Sequence, residues 1–242
     1  MNPDVFGRLL EINTQFYQTF AQDFSATRYQ VQPGVRQLLP TIPKDARVLD
    51  LGCGNGSFGV ALFERGHVGP YHGMDFSAGL LDAARSQLPL GDAATVAQAD
   101  FTSPAWDAAL PPAHFDAITA FATLHHLPSA ALHADFFRKV RRLLAPDGRF
   151  LLSNWQFLNS PRWRARVQPW ETVGLSPEDV EPGDYLLDWR RGGVGYRYVH
   201  HFSETELAQL AAESGFRVVE TFHSDGREGN LALYMVWERK DK

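Results

Sequence analysis

Residues 47–56 read Arg47-Val-Leu-Asp-Leu-Gly-Cys-Gly-Asn-Gly56. The run 47–51 is predicted to be a buried strand. It enters a turn whose glycines fall as G-x-G-x-G at Gly52, Gly54 and Gly56. Lacking a Cβ, such residues let the backbone pass close to a ligand and turn sharply into a helix, here predicted over 57–65. A helix start there offers free N–H groups and partial positive charge to a carboxylate or phosphate. A dinucleotide fingerprint needs G-x-G-x-x-G. Position 57 is Ser, so that template fails. Asp50, just before the turn, can instead pair with a ligand amine.

Outward from this stretch, strands and helices alternate. Apolar spacing predicts an amphipathic helix over 4–24, and Pro33 and Pro40 bracket a short helix over 34–39. Strands are expected at 68–74, 94–99, 115–121 and 149–155, with helices over 78–88 and from Ser129 to about Leu144. Ala145-Pro-Asp-Gly148 should stop the latter. The alternation implies α/β architecture with a doubly wound parallel sheet. Residues 160–200 break the pattern. They read as an insertion with a short helix and a hairpin pairing 185–189 with 196–200. Ser203-Glu-Thr-Glu206 is a capping box for a helix to about Ser214. The final strands, 216–222 and 231–237, are expected to pair antiparallel.

Three acids should follow or end three successive strands: Asp50, Asp75 and Asp100. Open α/β sheets bind ligands in the crevice at that edge. Asp75 is placed to accept both hydroxyls of a ribose. Asp100 can accept from an adenine amino group, with Phe101 covering the ring.

The chain has 242 residues with 44% hydrophobic and 21% charged, an ordinary globular composition that excludes disorder and a disulfide scaffold. Cys53 is the lone cysteine, which leaves no zinc cluster of thiols. The nine histidines show no ligand spacing with carboxylates, so no metal is expected. The N-terminus does not look like a secretion signal, and no apolar run approaches the roughly 18–20 residues of a membrane helix. A cytoplasmic protein with a single domain over 1–242 is the expectation. Net charge is −5, yet residues 138–166 carry 8 basic side chains against Asp147 alone. That block reads either as a solvated face or as a nucleic-acid patch.

The set resembles the class I methyltransferases that use S-adenosylmethionine. Asp50-x-Gly52-x-Gly54-x-Gly56 looks like their first motif, Gly73-Met-Asp75-Phe-Ser their second and Ala99-Asp100-Phe101 their third. Phe115-Asp-Ala-Ile118 with Leu124-His125-His126 is similar to the fourth, and Leu143–Leu152 to the helix and strand after it. The resemblance implies a Rossmann-like sheet of seven strands, order 3-2-1-4-5-7-6, with strand seven antiparallel. It also implies an N-terminal helical lid over about 1–40 and an insertion over about 156–202. S-adenosyl-L-methionine is then the cofactor. Asp50 holds its amino end, the Gly52-Cys53-Gly54-Asn-Gly56 turn lets it approach, and Asp75 with Phe76 meets the ribose. Asp100 and Phe101 meet the adenine, and Phe121 ends the strand beside it. Cys53 fills space there.

Two further stretches resemble the methyltransferases that esterify a carboxymethyl group on the tRNA wobble uridine. These are Phe24-Ser-Ala-Thr-Arg28-Tyr29, and Gln168-Pro-Trp170 with Tyr196-Arg-Tyr-Val-His-His-Phe202. The family's W-P-x-V continuation is Gln32-Pro-Gly-Val35 here, without the Trp. A carboxylate nucleophile needs a clamp of cations instead of a base, and Arg28, Arg197 and His200 are the candidates. His125 is the candidate facing substrate after strand four. The acceptor is then tRNA or a small-molecule metabolite, and a cofactor-binding subunit without activity is the reading from another class. Relatives in the wobble-uridine group act with a small activator protein, which the resemblance permits here. Phosphates could meet the basic block, with Trp163 stacking on a base.

Overall fold

The computed structural model describes residues 1–25, 31–108, 110 and 114–240, with only the backbone described at 21–25. Arg28 therefore lies outside the described residues. In chain order the elements begin α1 (Pro3–Ser25), α2 (Pro33–Leu38), β1 (Val48–Leu51), α3 (Ser57–Glu64), β2 (Tyr71–Asp75), α4 (Ala78–Gln87), β3 (Ala94–Gln98) and β4 (Phe115–Phe121). They continue α5 (Ala130–Leu143), β5 (Leu144–Trp155), α6 (Pro161–Arg164), β6 (Val167–Gln168), β7 (Asp184–Trp189), β8 (Gly195–His200), α7 (Glu204–Glu213), β9 (Phe216–Ser224) and β10 (Ala232–Arg239).

Seven strands form one sheet in the order β3-β2-β1-β4-β5-β10-β9. The strands β3, β2, β1, β4 and β5 run parallel, and β10 lies antiparallel to β5 and β9. Allowing for the extra strands in the insertion, this is the expected Rossmann-like order with its reversed seventh strand. All four residues of β1 are buried, because a central parallel strand has helices over both faces. One face packs Phe136, Phe137 and Val140 of α5 and Leu207 and Ala211 of α7. The other packs Val35 and Leu38 of α2, Phe58 and Leu62 of α3, and Ala84 and Leu88 beside them. Trp237, fully buried, centres the first layer with Phe137, Phe150 and Phe216 at 4.8, 5.6 and 5.6 Å between rings.

Two boundaries differ from the sequence reading. The second strand starts at Tyr71, not at 68. Pro70 has no N–H to give a ladder, and the N–H groups of Val68 and Gly69 both donate to Lys44 O. The fifth strand starts at Leu144. Phe115 pairs with Leu144 and Ala117 with Arg149, so Ala145–Gly148, which follows the end of α5 at Leu143 as expected, bulges out of the ladder.

The insertion forms a second, three-stranded sheet, β6-β7-β8. The expected hairpin is there, with Tyr185 opposite Val199, and β6 is an addition the sequence did not announce. This sheet packs on α1 through Val5, Leu9 and Ile12 against Leu186 and Tyr198. Asn13 ties the layers together: its Oδ1 accepts from Tyr198 N at 2.9 Å and its Nδ2 donates to His126 O at 3.2 Å. Among the described residues, no helix is long and apolar enough to cross a membrane.

Candidate active site

Two cavities open along the ends of β1, β2 and β4, beneath α1 and the second sheet. The larger, about 870 Å³, is bordered by Asp75, Phe76, Gln98, Asp100, Phe101 and His126 among others. The smaller, about 330 Å³, is bordered by Asp50, Cys53, Asn154, Trp155, Trp163, Trp189 and Arg197. They meet at Gly52, Gly54, Leu80, Phe121 and Ala122, which border both. A long ligand with two chemically different ends fits such a pair.

The glycine turn divides its labour. Gly52, Gly54 and Gly56 all have positive φ, of 80°, 55° and 81°. A Cβ at Gly52 would run into Thr123, and one at Gly56 would press on Ala84 and Leu88 at 3.1–3.2 Å. A Cβ at Gly54 would meet nothing within 4 Å. Only Gly54 thus leaves its space to the cavity, while the other two serve close packing. Ala122 also lies in the left-handed region, at φ 54°, held by its N–H to Ser153 O and Oγ. Such strain costs of order 1–3 kcal/mol and persists where surrounding structure imposes it, often at a site. The sequence carried no sign of it.

Asp50 is 2% exposed, with Oδ1 accepting from Thr119 and Oδ2 from Tyr71, each at 2.7 Å. Burial pushes its carboxyl up to about 6, against the two hydroxyls that favour ionisation. Asp75 is also buried, and burial raises its pKa too. Its Oδ2 accepts from Gly54 N and its Oδ1 from Ser77 N, both at 2.9 Å. Each carboxylate oxygen keeps a second lone pair for a ligand. Burial raises the Cys53 thiol well above its usual value, aided by Asp50 and Asp75, so it stays protonated and inert.

Asp100 sits beyond the end of β3, exposed, with Oδ1 accepting from Thr102 N and Oγ1. It borders the larger cavity while closing its own turn. Phe101 borders it too, yet its ring belongs to the core, 5.3 Å from Trp106 and 5.8 Å from Phe136. Phe76 stands edge-on to Tyr17, whose hydroxyl lies 2.7 Å from His126 Nε2. Tyr17 and Gln98 border this cavity without having been singled out from sequence.

Arg197 is brought to the smaller cavity at 4% exposure. Its guanidinium lies over Trp155 at 4.5 Å, Phe16 at 5.5 Å and Trp189 at 6.0 Å. Trp163 meets Trp155 edge-on at 4.9 Å. Among the described residues Arg197 is the only cation on that lining.

Two candidates do not join it. His200 borders neither cavity. Its Nδ1 is 2.7 Å from Asp184 and its Nε2 2.9 Å from Glu206. Burial alone would lower its pKa, but the two acids outweigh it and hold it at about 9. Both ring nitrogens are committed, so His200 is corrected from a substrate clamp to a buried junction. His125 is 1% exposed and borders neither cavity; its neighbour His126 is the one on a lining. The basic block is also divided. Lys139 meets Asp135 at 3.2 Å and Pro104 O at 2.6 Å, Arg142 pairs with Asp107, and Arg138 pairs with Asp135. On α6, exposed Arg162 and Arg164 flank Trp163, which borders the smaller cavity.

Residues 24–221 match the family described as a methyltransferase domain. The chain is 38% identical over 230 residues to the trans-aconitate 2-methyltransferase of Azoarcus sp., covering 79% of this chain and 87% of that one. It is 24% identical over 222 residues to the tRNA (carboxymethyluridine(34)-5-O)-methyltransferase of Schizosaccharomyces pombe, covering 85% and 89%. The fold is similar to that of the Burkholderia thailandensis 1,6-didemethyltoxoflavin-N1-methyltransferase, solved with S-adenosylhomocysteine. The TM-score is 0.66 at 19% identity, over 100% of this chain and 92% of that one.

Proposed function

Because the chain belongs to the methyltransferase domain family, as an S-adenosylmethionine-dependent enzyme, we propose that it transfers the methyl group to a carboxylate oxygen. The observation that carries this is Arg197, a buried guanidinium walled by Trp155, Trp189 and Trp163 in the cavity beside the glycine turn. A guanidinium matches a planar carboxylate with two parallel N–H donors. The named acceptors of the Azoarcus and Schizosaccharomyces relatives, trans-aconitate and carboxymethyluridine, both carry a carboxylate.

The space left at Gly54 and the buried acids on either side of it fit the cofactor. Asp50 would take its ammonium, Asp75 its ribose hydroxyls, and the Phe76 and Phe101 end its adenine. Bound there, S-adenosylmethionine supplies an electrophilic methyl group on a sulfonium. The chain's part is to position and to dry the site. A carboxylate is already anionic at neutral pH, so no general base is needed. Arg197 orients the acceptor, and the indole walls exclude water.

Within that reading the acceptor is a carboxymethyl group on a tRNA wobble uridine. An aromatic cavity admits a flat base, and Arg162 and Arg164 stand outside it for phosphates. The Azoarcus relative favours a second reading, a free di- or tricarboxylic acid. Methyl-labelled cofactor incubated with the protein and fractionated cell extract tests both. Label in RNA that digests to a modified uridine, and that mild alkali releases as methanol, is the expected result. Alkali-labile label in small acids selects the second reading. Alkali-stable label in any fraction, as on nitrogen or carbon, refutes the carboxylate.

A further inference from the structure

Outside both cavities, three ligand-type side chains from three elements converge: His133 of α5, His200 at the end of β8 and Glu206 in the first turn of α7. One donor atom from each lies within 4.8 Å of the other two. Their sequence separations, 67 and 6 residues, form no short ligand motif, so only the tertiary fold assembles them.

We propose that His133, His200 and Glu206 form a binding site for a zinc-class divalent cation that staples the second sheet to the helical layer of the first.

The partners of each ligand argue for it. Metal-bound imidazoles nearly always give their other N–H to a carboxylate or backbone carbonyl. His200 Nδ1 meets Asp184 Oδ1 at 2.7 Å, and His133 Nε2 meets Leu127 O at 2.7 Å. A carbonyl can only accept, so His133 Nε2 carries the hydrogen and Nδ1 is the atom left to offer. Asp184 is itself fixed, by the Tyr198 hydroxyl at 2.7 Å and by Glu181 N at 3.0 Å. Glu206 is fixed by Ser203 N through the capping box.

Without metal, His200 gives Nδ1–H to Asp184 Oδ1 and Nε2–H to Glu206 Oε1 at 2.9 Å. A zinc-class ion at the junction takes the place of that Nε2 proton. The proton joins His200 and Glu206 alone; a metal ion also uses the third donor, His133. Tetrahedral ligands at zinc distances stand roughly 3.3 Å apart, within side-chain adjustment of this cluster. The imidazoles are buried, at 1% and 3% exposure, whereas the Glu206 side chain is 36% exposed. That open side admits the ion and leaves a fourth position to water. Two imidazoles and one carboxylate suit zinc among the common divalent ions.

The test uses the full chain purified without chelator. Its zinc content is measured by mass spectrometry, and cobalt is titrated into the stripped wild-type protein. The expected results are one zinc per chain, a tetrahedral cobalt band in the visible spectrum, and a melting temperature that chelator lowers and zinc restores. His133→Ala should lose the stoichiometric metal. Asp184→Asn, which keeps all three ligands, should weaken zinc about 10–100-fold. Stripped wild-type protein that takes up neither zinc nor cobalt in equilibrium dialysis, with its melting temperature unmoved by either, overturns the proposal and leaves a shared proton at the junction.

Discussion

Asp50 carries a cost that its ligand should relieve. The carboxyl is 2% exposed and pushed up to about 6 from the ordinary 3.8, chiefly by burial. That gap is worth roughly 3 kcal/mol. The sign follows from proton binding: between about pH 4 and 6 the folded free protein holds a proton that the unfolded chain has lost. This group's contribution therefore favours folding less as pH rises through that window, and is flat above it. A bound ammonium needs the ionised form, so cofactor binding should weaken as pH falls below 6. At pH 5 only about a tenth of the free protein is ionised at Asp50, and the affinity should be about tenfold lower than at pH 8. Calorimetric titration of S-adenosylhomocysteine at half-unit pH steps measures it, with cofactor-induced melting shifts as a parallel reading. Asp50→Asn should flatten the profile. An affinity constant from pH 8 to 5 would refute the reasoning. So would an acid limb that survives unchanged in Asp50→Asn, which would belong to Asp75.

Asp75→Ala should weaken the cofactor by roughly 1.5–3 kcal/mol, the worth of hydrogen bonds to a charged group; unchanged affinity by calorimetry would remove the ribose from Asp75. Arg197→Lys keeps the charge and loses the planar fork. It should lower kcat/KM for the carboxylate acceptor about 10–100-fold while cofactor affinity holds, and a loss confined to cofactor binding would contradict its place in the acceptor cavity. Gly52→Ala should lower the melting temperature more than Gly54→Ala, because its Cβ meets Thr123 whereas that of Gly54 meets open space. Gly54→Val should instead weaken the cofactor at least about tenfold by filling that space, so equal effects of Gly52→Ala and Gly54→Ala on stability would contradict the division.

Much of the frame was legible from local rules. The apolar run into Gly52-x-Gly54-x-Gly56, the Ser77, Ser129 and Ser203 caps, and the period of each helix are set within a few residues, and each appears as read. The misplacements arose at the starts of strands. Pro70 moved the start of β2, and pairing with β4 carried Leu144 into β5 despite the Pro-Asp-Gly that follows. β6 is two residues long and exists only because β7 offers it a ladder.

The acids and glycines at the strand ends were readable because they lie beside the elements that place them. Arg197 and His200 show the opposite case. Three residues apart on one hairpin strand, they had equal claims as clamps for a carboxylate. Alternation along β8 and the layer above it sent Arg197 among Trp155, Trp189 and Phe16, and its neighbour to Asp184 and Glu206. Likewise the basic run 138–166 is continuous in the chain but split in space between α5, neutralised by Asp107 and Asp135, and α6 at a cavity mouth. Hydrophobic period, turn chemistry and the glycine motif were enough, in the sequence itself, for a doubly wound parallel sheet with a ligand crevice at its strand ends, whereas the strand order and the cofactor came from the resemblance to class I methyltransferases. Only the tertiary structure decided which cation faces the acceptor and which histidines meet an acid. Among those contacts Trp155 with Arg197 spans 42 positions and His133 with Glu206 spans 73, and no local rule reaches across such a loop.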